Sequence, residues 1–307
     1  MHSYKRLLLT VSHLFLLVIL LLAACTLNGQ TIHPLEPIQK HYKLQHELSD
    51  LPNPSRASLD TIHYPWSEYS QNALTNSLVR SVYLSRETEA KLPGLIKPPA
   101  NSSDRTRAEL DYLLSLQAGR TKEQVARAEY IANIGSWFNI LNPADPDYEE
   151  NQKQLFYIAD TVGHWFNYRN FPVITHLLLN CIQDIRVTEF RLKFHFRRPR
   201  PYHLEPALQA LARIKSPSFA SGHSLWAFTE AYIFSEIIPD KRNLFLAKAE
   251  EVRWSRELMG IHYPSDNEAS RVIGWYLLKF WYNNAQFRED MKKAKEEWKI
   301  KRSKFQQ

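Results

Sequence analysis

Ser255-Arg256-Glu257-Leu258-Met259-Gly260-Ile261-His262-Tyr263-Pro264-Ser265-Asp266 sets a guanidinium, an imidazole and a carboxylate within a dozen residues. The spacing is Ser-Arg, five residues, His, three residues, Asp. Two shorter stretches upstream complement it. Lys193 is followed after six residues by Arg200-Pro201, and Ser221-Gly222-His223 forms a small-residue turn. Gathered in one pocket, these groups suit a tetrahedral oxyanion. Lys and Arg neutralise charge, and Arg forks onto two oxygens. Backbone N–H groups of Gly222 and His223, at a helix start, add donors aimed at an anion. Two imidazoles supply a nucleophile and a proton.

The composition sets the frame around these stretches. The chain has 307 residues, 44% hydrophobic and 12% aromatic, enough to bury a sizeable core. Eight glycines and the scarcity of alternating Val/Ile/Thr runs speak against a β-sandwich or barrel. The formal charge is +7 and the pI about 9.2, a mild bias toward anionic substrates or surfaces. No basic block is interleaved with aromatics outside the extreme C-terminus, so nucleic acid is not an expected partner. The oligomeric state has no signature.

Residues 1–24 have the form of a lipoprotein signal peptide. Lys5 and Arg6 precede an apolar run from Leu7 to Leu22. Leu22-Ala23-Ala24-Cys25 resembles the lipobox of bacterial lipoproteins, which implies lipidation of Cys25 and a membrane tether. An ordinary signal peptide cut near Ala24 and an uncleaved N-terminal anchor are the alternatives. Thr26 in place of Asp after the cysteine favours an outer-membrane anchor facing the periplasm. Residues 25–65 read as a tether and irregular arm. Eight of the 17 prolines lie between 26 and 100, a density that allows one helix at most there, over Ser67 to Leu84. Cys181, the only other cysteine, sits among Leu177, Leu178, Leu179 and Ile182 as a buried apolar residue.

Residues 66–300 read as one helical domain. Leu110, Leu113, Leu114 and Leu116 form an apolar stripe. Thr121-Lys122-Glu123-Gln124 starts a helix that runs to Ile140, and Asn151 to Trp165 forms another. Pro172 opens a long helix with Ile174, Leu177, Leu178, Cys181, Ile182 and Ile185 at helical spacing. Helices over Leu225–Ile238 and Lys241–Met259 follow. A last apolar helix, capped by Asp266, points Ile273, Leu277, Phe280 and Trp281 inward. The tail from Arg288 reads as a charged, solvated helix. His164, His176, His195 and His203 lack matching partners and are assigned to core or surface. Asp145, Asp147, Glu149 and Glu150 read as a loose acidic loop, and no metal site is expected. The fold class is all-α, a helical bundle.

The three stretches together resemble the type-2 phosphatidic acid phosphatase superfamily. It includes the bacterial class A non-specific acid phosphatases, to which the likeness is greatest, and the vanadium-dependent haloperoxidases. The likeness covers residues 105–285. The usual Pro before Ser-Gly-His is replaced by Ala220. Arg198-Pro199 repeats Arg-Pro two residues early, but Arg191 stands six residues before it. Lys193/Arg200 is therefore preferred, which leaves Arg198 to line the mouth of the site.

The resemblance implies a helical bundle of this superfamily and assigns roles. His262 is the nucleophile, Asp266 holds its imidazole, and His223 is general acid and then general base. Lys193, Arg200, Ser221, Gly222 and Arg256 bind the phosphate. Ser255 is read as a structural hydrogen-bonding residue. The implied activity is metal-independent hydrolysis of a small phosphorylated substrate through a phosphohistidine, with no cofactor and with vanadate as an inhibitor. One alternative is a haloperoxidase, with vanadate as cofactor on His262. Another is a phosphatase of lipid or isoprenoid (di)phosphates. The compact spacing of the three stretches favours the phosphatase.

Overall fold

Pro172 occupies the first turn of the longest helix, where its missing N–H removes no internal bond and its fixed φ suits the helix. From there the chain runs uninterrupted to Phe196. In the computed structural model, which describes residues 47–76, 78–135 and 141–305, every regular element is a helix. The signal segment, Cys25 and the tether to residue 46 lie outside the described residues, as do 136–140; the helix begun at Thr121 stops at Ala132, short of the expected Ile140, and a turn with Gly135 at a φ of +84° follows.

The helices are α1 (Gln71–Asn76), α2 (Arg86–Lys91), α3 (Asp104–Gly119), α4 (Lys122–Ala132), α5 (Tyr148–Gln154), α6 (Pro172–Phe196), α7 (Pro201–Leu204), α8 (Gly222–Ile237), α9 (Arg242–Leu258), α10 (Pro264–Trp281) and α11 (Ala285–Phe305). The hub is α8. It is apolar on all sides and buried from Ser224 to Ser235, as a helix surrounded by others must be. Helices α9 and α10 pack along it most extensively, with α6 and α11 beside them. The α6 stripe is buried as its spacing predicts, and Cys181 lies within it as a free thiol.

Several local expectations change. In place of one helix over Ser67–Leu84 there is a 3₁₀ turn at Trp66–Glu68 and the short α1. The chain is then fastened to the bundle by Asp184. Its carboxylate accepts the Tyr83 and Leu84 N–H groups, both at 3.0 Å, and the Trp281 indole N–H at 2.8 Å. The helix expected from Asn151 is α5 followed by a 3₁₀ segment, Tyr157–Val162. Within α10, Phe280 is only partly buried, and Leu278 takes the inward position. The tail is not a solvated helix. Phe287, Met291, Ala294 and Trp298 recur at three- and four-residue spacing along α11 and are buried against the bundle. Trp298 stacks on Trp165 with ring centroids 5.7 Å apart. No helix among the described residues is long and apolar enough to cross a membrane.

Candidate active site

Three helix ends converge on one cavity of about 240 Å³. Lys193 comes from the last turn of α6, Arg256 from the last turn of α9, and Gly222 and His223 open α8. Arg200 precedes α7, and His262 lies in the turn between α9 and α10. That turn needs Gly260, whose φ of +68° is disfavoured for any side chain. All six residues line the cavity. Its remaining walls are largely apolar, including Ile182, Ile185, Phe190, Ile214 and Trp226.

The cations are held by neutral acceptors. Lys193 Nζ donates to the Pro217 carbonyl at 2.7 Å. Arg200 Nε donates to Ser216 O at 2.9 Å, and its Nη1 to Ile261 O at 2.8 Å. Arg256 donates to Ser255 Oγ at 3.0 Å and Ala128 O at 3.1 Å. Ser255 thereby orients Arg256, as a structural hydrogen-bonding residue. Among the described residues, neither Arg200 nor Arg256 has a carboxylate within 4 Å. Carbonyls fix geometry without cancelling charge, so the pocket keeps positive potential for an anion. Burial and the adjacent Arg200 push the Lys193 amine down to about 7.

The tautomer of His262 follows from its neighbours. Arg200 Nη1 lies 2.8 Å from Nε2, and a guanidinium only donates, so Nε2 carries a lone pair. The proton is then on Nδ1, which donates to Asp266 Oδ2 at 3.2 Å. Burial, followed by Arg200, holds the imidazole well below its ordinary pKa, so it is neutral. Asp266 remains ionised. Burial opposes its charge most strongly, but Arg198 together with the His262 and Ser218 hydrogen bonds outweighs it and holds the carboxyl below the usual range.

Asp266 sits in the first turn of α10. It is not the cap residue; its Oδ2 reaches back to the Tyr263 N–H at 3.1 Å. Oδ2 also accepts the Ser218 hydroxyl. Oδ1 accepts Arg198 Nη1 at 2.7 Å. Arg198 is thus not at the mouth of the cavity but behind Asp266. It is 2% exposed, stacked 3.8 Å over the Tyr263 ring, and shared with Ser265 Oγ at 2.9 Å and Glu109 Oε2 at 3.5 Å. Glu109, on α3, also accepts the Ser265 N–H at 2.7 Å.

Two other expectations change in detail. The Ser221 side chain is buried and directed at its own helix: it accepts Ser224 N–H at 3.5 Å and lies 3.2 Å from Ser224 Oγ. This is the geometry of an N-cap. His203 is not idle. Its Nδ1 accepts the Arg200 N–H at 3.1 Å, while Nε2 lies 3.2 Å from Glu68, so it braces the Arg200 backbone. His223 Nε2 contacts the Ala132 carbonyl at 3.3 Å, and burial with Arg256 pushes its imidazole down to about 3. Ser216, Ser218, Glu109 and the pocket carboxylate Glu189 gave no sequence signal.

Residues 172–290 match the sequence profile described as the PAP2 superfamily. A non-specific acid phosphatase of Providencia stuartii is 27% identical over 146 residues, 46% of this chain and 59% of that protein. An acid phosphatase of Zymomonas mobilis is 29% identical over 131 residues, 39% of this chain and 49% of that one. The aligned segments thus span roughly half the length of these two relatives. Among solved structures, a bacterial vanadium-dependent iodoperoxidase superposes with a TM-score of 0.50 at 16% identity, covering 68% of this chain and 56% of its own. A bacterial vanadium-dependent chloroperoxidase gives 0.50 at 10% identity, covering 74% and 56%. At these identities the superpositions establish the fold.

Proposed function

We propose that the chain, whose residues 172–290 match the PAP2 superfamily profile, hydrolyses phosphate monoesters without a metal ion, through a phosphohistidine on His262. The observation that carries this reading is the unprotonated Nε2 of His262, set among Lys193, Arg200 and Arg256 with Nδ1–H held by Asp266. The acid phosphatases among its relatives support it.

In the first step the Nε2 lone pair attacks phosphorus, the P–N bond forms and the P–O bond to the alcohol breaks. His223, charged once the phosphoryl anion offsets the burial and the Arg256 charge that keep it neutral in the empty site, gives its proton to the departing alkoxide. In the second step His223 takes a proton from water, whose oxygen attacks phosphorus as the P–N bond breaks. The three cations neutralise the equatorial oxygens, and the N–H groups opening α8 add donors. Asp266 supports the imidazolium character that develops on His262.

The test is hydrolysis of 4-nitrophenyl phosphate by the purified chain, with and without chelator and orthovanadate. Hydrolysis that survives the chelator and is blocked by vanadate supports the reading. A chelator-sensitive activity restored by zinc sinks the metal-independent mechanism. Halide oxidation with vanadate and peroxide, in the absence of hydrolysis, assigns the pocket to haloperoxidase chemistry.

Lys193 sets a pH limb. Its amine titrates near 7 in the empty site, so kcat/KM is expected to fall as pH rises through that value and one of three cations is lost. A bound phosphoryl group restores the proton, so kcat falls only at higher pH. Lys193→Arg, whose charge persists, is expected to remove this limb from the pH profile of kcat/KM.

Export and tethering belong to the same proposal. Leu22-Ala23-Ala24-Cys25 supports lipidation of Cys25 and an outer-membrane anchor facing the periplasm. Labelled fatty acid incorporated by the wild type and lost in Cys25→Ser is the expected result; equal labelling of both removes the anchor.

A further inference from the structure

One face of α6 carries a carboxylate into the anion site. Ile182, Ile185, Arg186, Glu189 and Lys193 recur at three- and four-residue spacing and line the cavity together. Glu189 Oε1 lies 3.7 Å from Lys193 Nζ. The carboxylate rests on Gly222: a Cβ there would stand 2.3 Å from Oε1, 2.4 Å from Cδ and 2.5 Å from Oε2. A side chain at 222 would displace the Glu189 carboxylate from this place. The same carboxylate feels Arg186 on its own helix and Arg200 beyond the helix end. His223 of α8 and His262 stand on other walls of the cavity.

This carboxylate is positioned but loosely held. Its ion pair with Lys193 is long, at 3.7 Å, since Lys193 spends its short bond on Pro217. Its place beside Lys193 and the first N–H groups of α8 is where an anion is best stabilised. A carboxylate and a phosphoryl group held together there repel each other strongly at low dielectric.

We propose that Glu189 is a specificity-determining residue that competes with the phosphoryl group for Lys193 and the N-terminus of α8. Substrate enters by displacing the carboxylate, and inorganic phosphate leaves as the carboxylate returns. The inference rests on reading the cavity as a phosphate site. Its neutral counterpart, Glu189→Gln, keeps the shape and removes the competing charge.

The experiment is calorimetric titration of the full chain with inorganic phosphate. Glu189→Gln is expected to bind phosphate about tenfold more tightly than wild type, and the charge-preserving Glu189→Asp to stay within about threefold of it. Equal or weaker binding by Glu189→Gln would mean that Glu189 only braces Lys193, and the proposal falls. No phosphate binding in either protein also overturns it. Should the variants not fold, a crystal structure of wild type with phosphate decides. The carboxylate is expected to have left Gly222, and a carboxylate still resting there beside bound phosphate overturns the proposal. Titration needs no turnover, so a chain that hydrolyses nothing loses the catalytic reading without deciding the role of Glu189. Hydrolysis with no change in phosphate affinity removes Glu189 alone.

Discussion

His262→Ala is expected to lower kcat for 4-nitrophenyl phosphate by about 10⁴-fold or more, while phosphate still binds. The two effects separate because the groups that bind and the group that reacts are different side chains. Lys193, Arg200 and Arg256 are anchored by the carbonyls of Pro217, Ser216, Ile261 and Ala128 and by Ser255 Oγ; Arg200 alone also donates to the imidazole, and it keeps Ser216 and Ile261 when the ring is gone. Removing the ring leaves their charge in place. Asp266 loses one donor but keeps Arg198, Ser218 and the Tyr263 N–H, so the start of α10 holds. The measurement is kcat against the dissociation constant of phosphate. If both collapse together, His262 is part of the scaffold; if kcat survives, it is not the nucleophile.

Arg198→Met is expected to cost about 3–5 kcal/mol of stability, the usual result of stranding a buried charge. The guanidinium lies between two carboxylates that are themselves buried, Asp266 and Glu109. Without it, burial pushes the depressed Asp266 carboxyl upward and raises Glu109, which already lies above its ordinary value, further still. A raised folded pKa contributes stability at low pH that is lost as pH climbs. The deficit of the variant should therefore shrink toward acid pH and grow toward neutrality. Arg198→Met/Glu109→Gln should recover part of the loss, since one stranded charge is gone. Urea melts across a pH series check both statements. A deficit that is constant with pH would show that Arg198 contributes packing against Tyr263 and little else. Activity should fall with stability, because Asp266 fixes the His262 tautomer and Arg198 keeps Asp266 ionised.

The two variants probe different depths of the same site, and those depths were unequally visible in the sequence. Helices α8 and α9 begin and end within about three residues of their expected positions, and α6 and α10 begin within about two. Their boundaries are set by local chemistry: Pro172, the Ser221 cap, Pro239 and Pro264. Helix α11 was misjudged because its average polarity masks a narrow stripe, Phe287, Met291, Ala294 and Trp298. A mean taken around a helix cannot register a single buried face.

What the sequence determined by itself is the all-α class, the three motifs and the chemical types of the groups that meet in the cavity. Spacing within a dozen residues conveys these, because a helix end or a tight turn places near neighbours reproducibly. The tertiary structure alone decided which groups stand behind them. Ser218 reaches Asp266 across 48 positions, Arg198 across 68, and Glu109 reaches Ser265 across 156. It also decided that Arg198 faces inward and that Glu189 lies against Gly222. Such pairings depend on how α3, α6, α8 and α10 pack. Packing is fixed by the collective burial of their apolar faces, which no local spacing records.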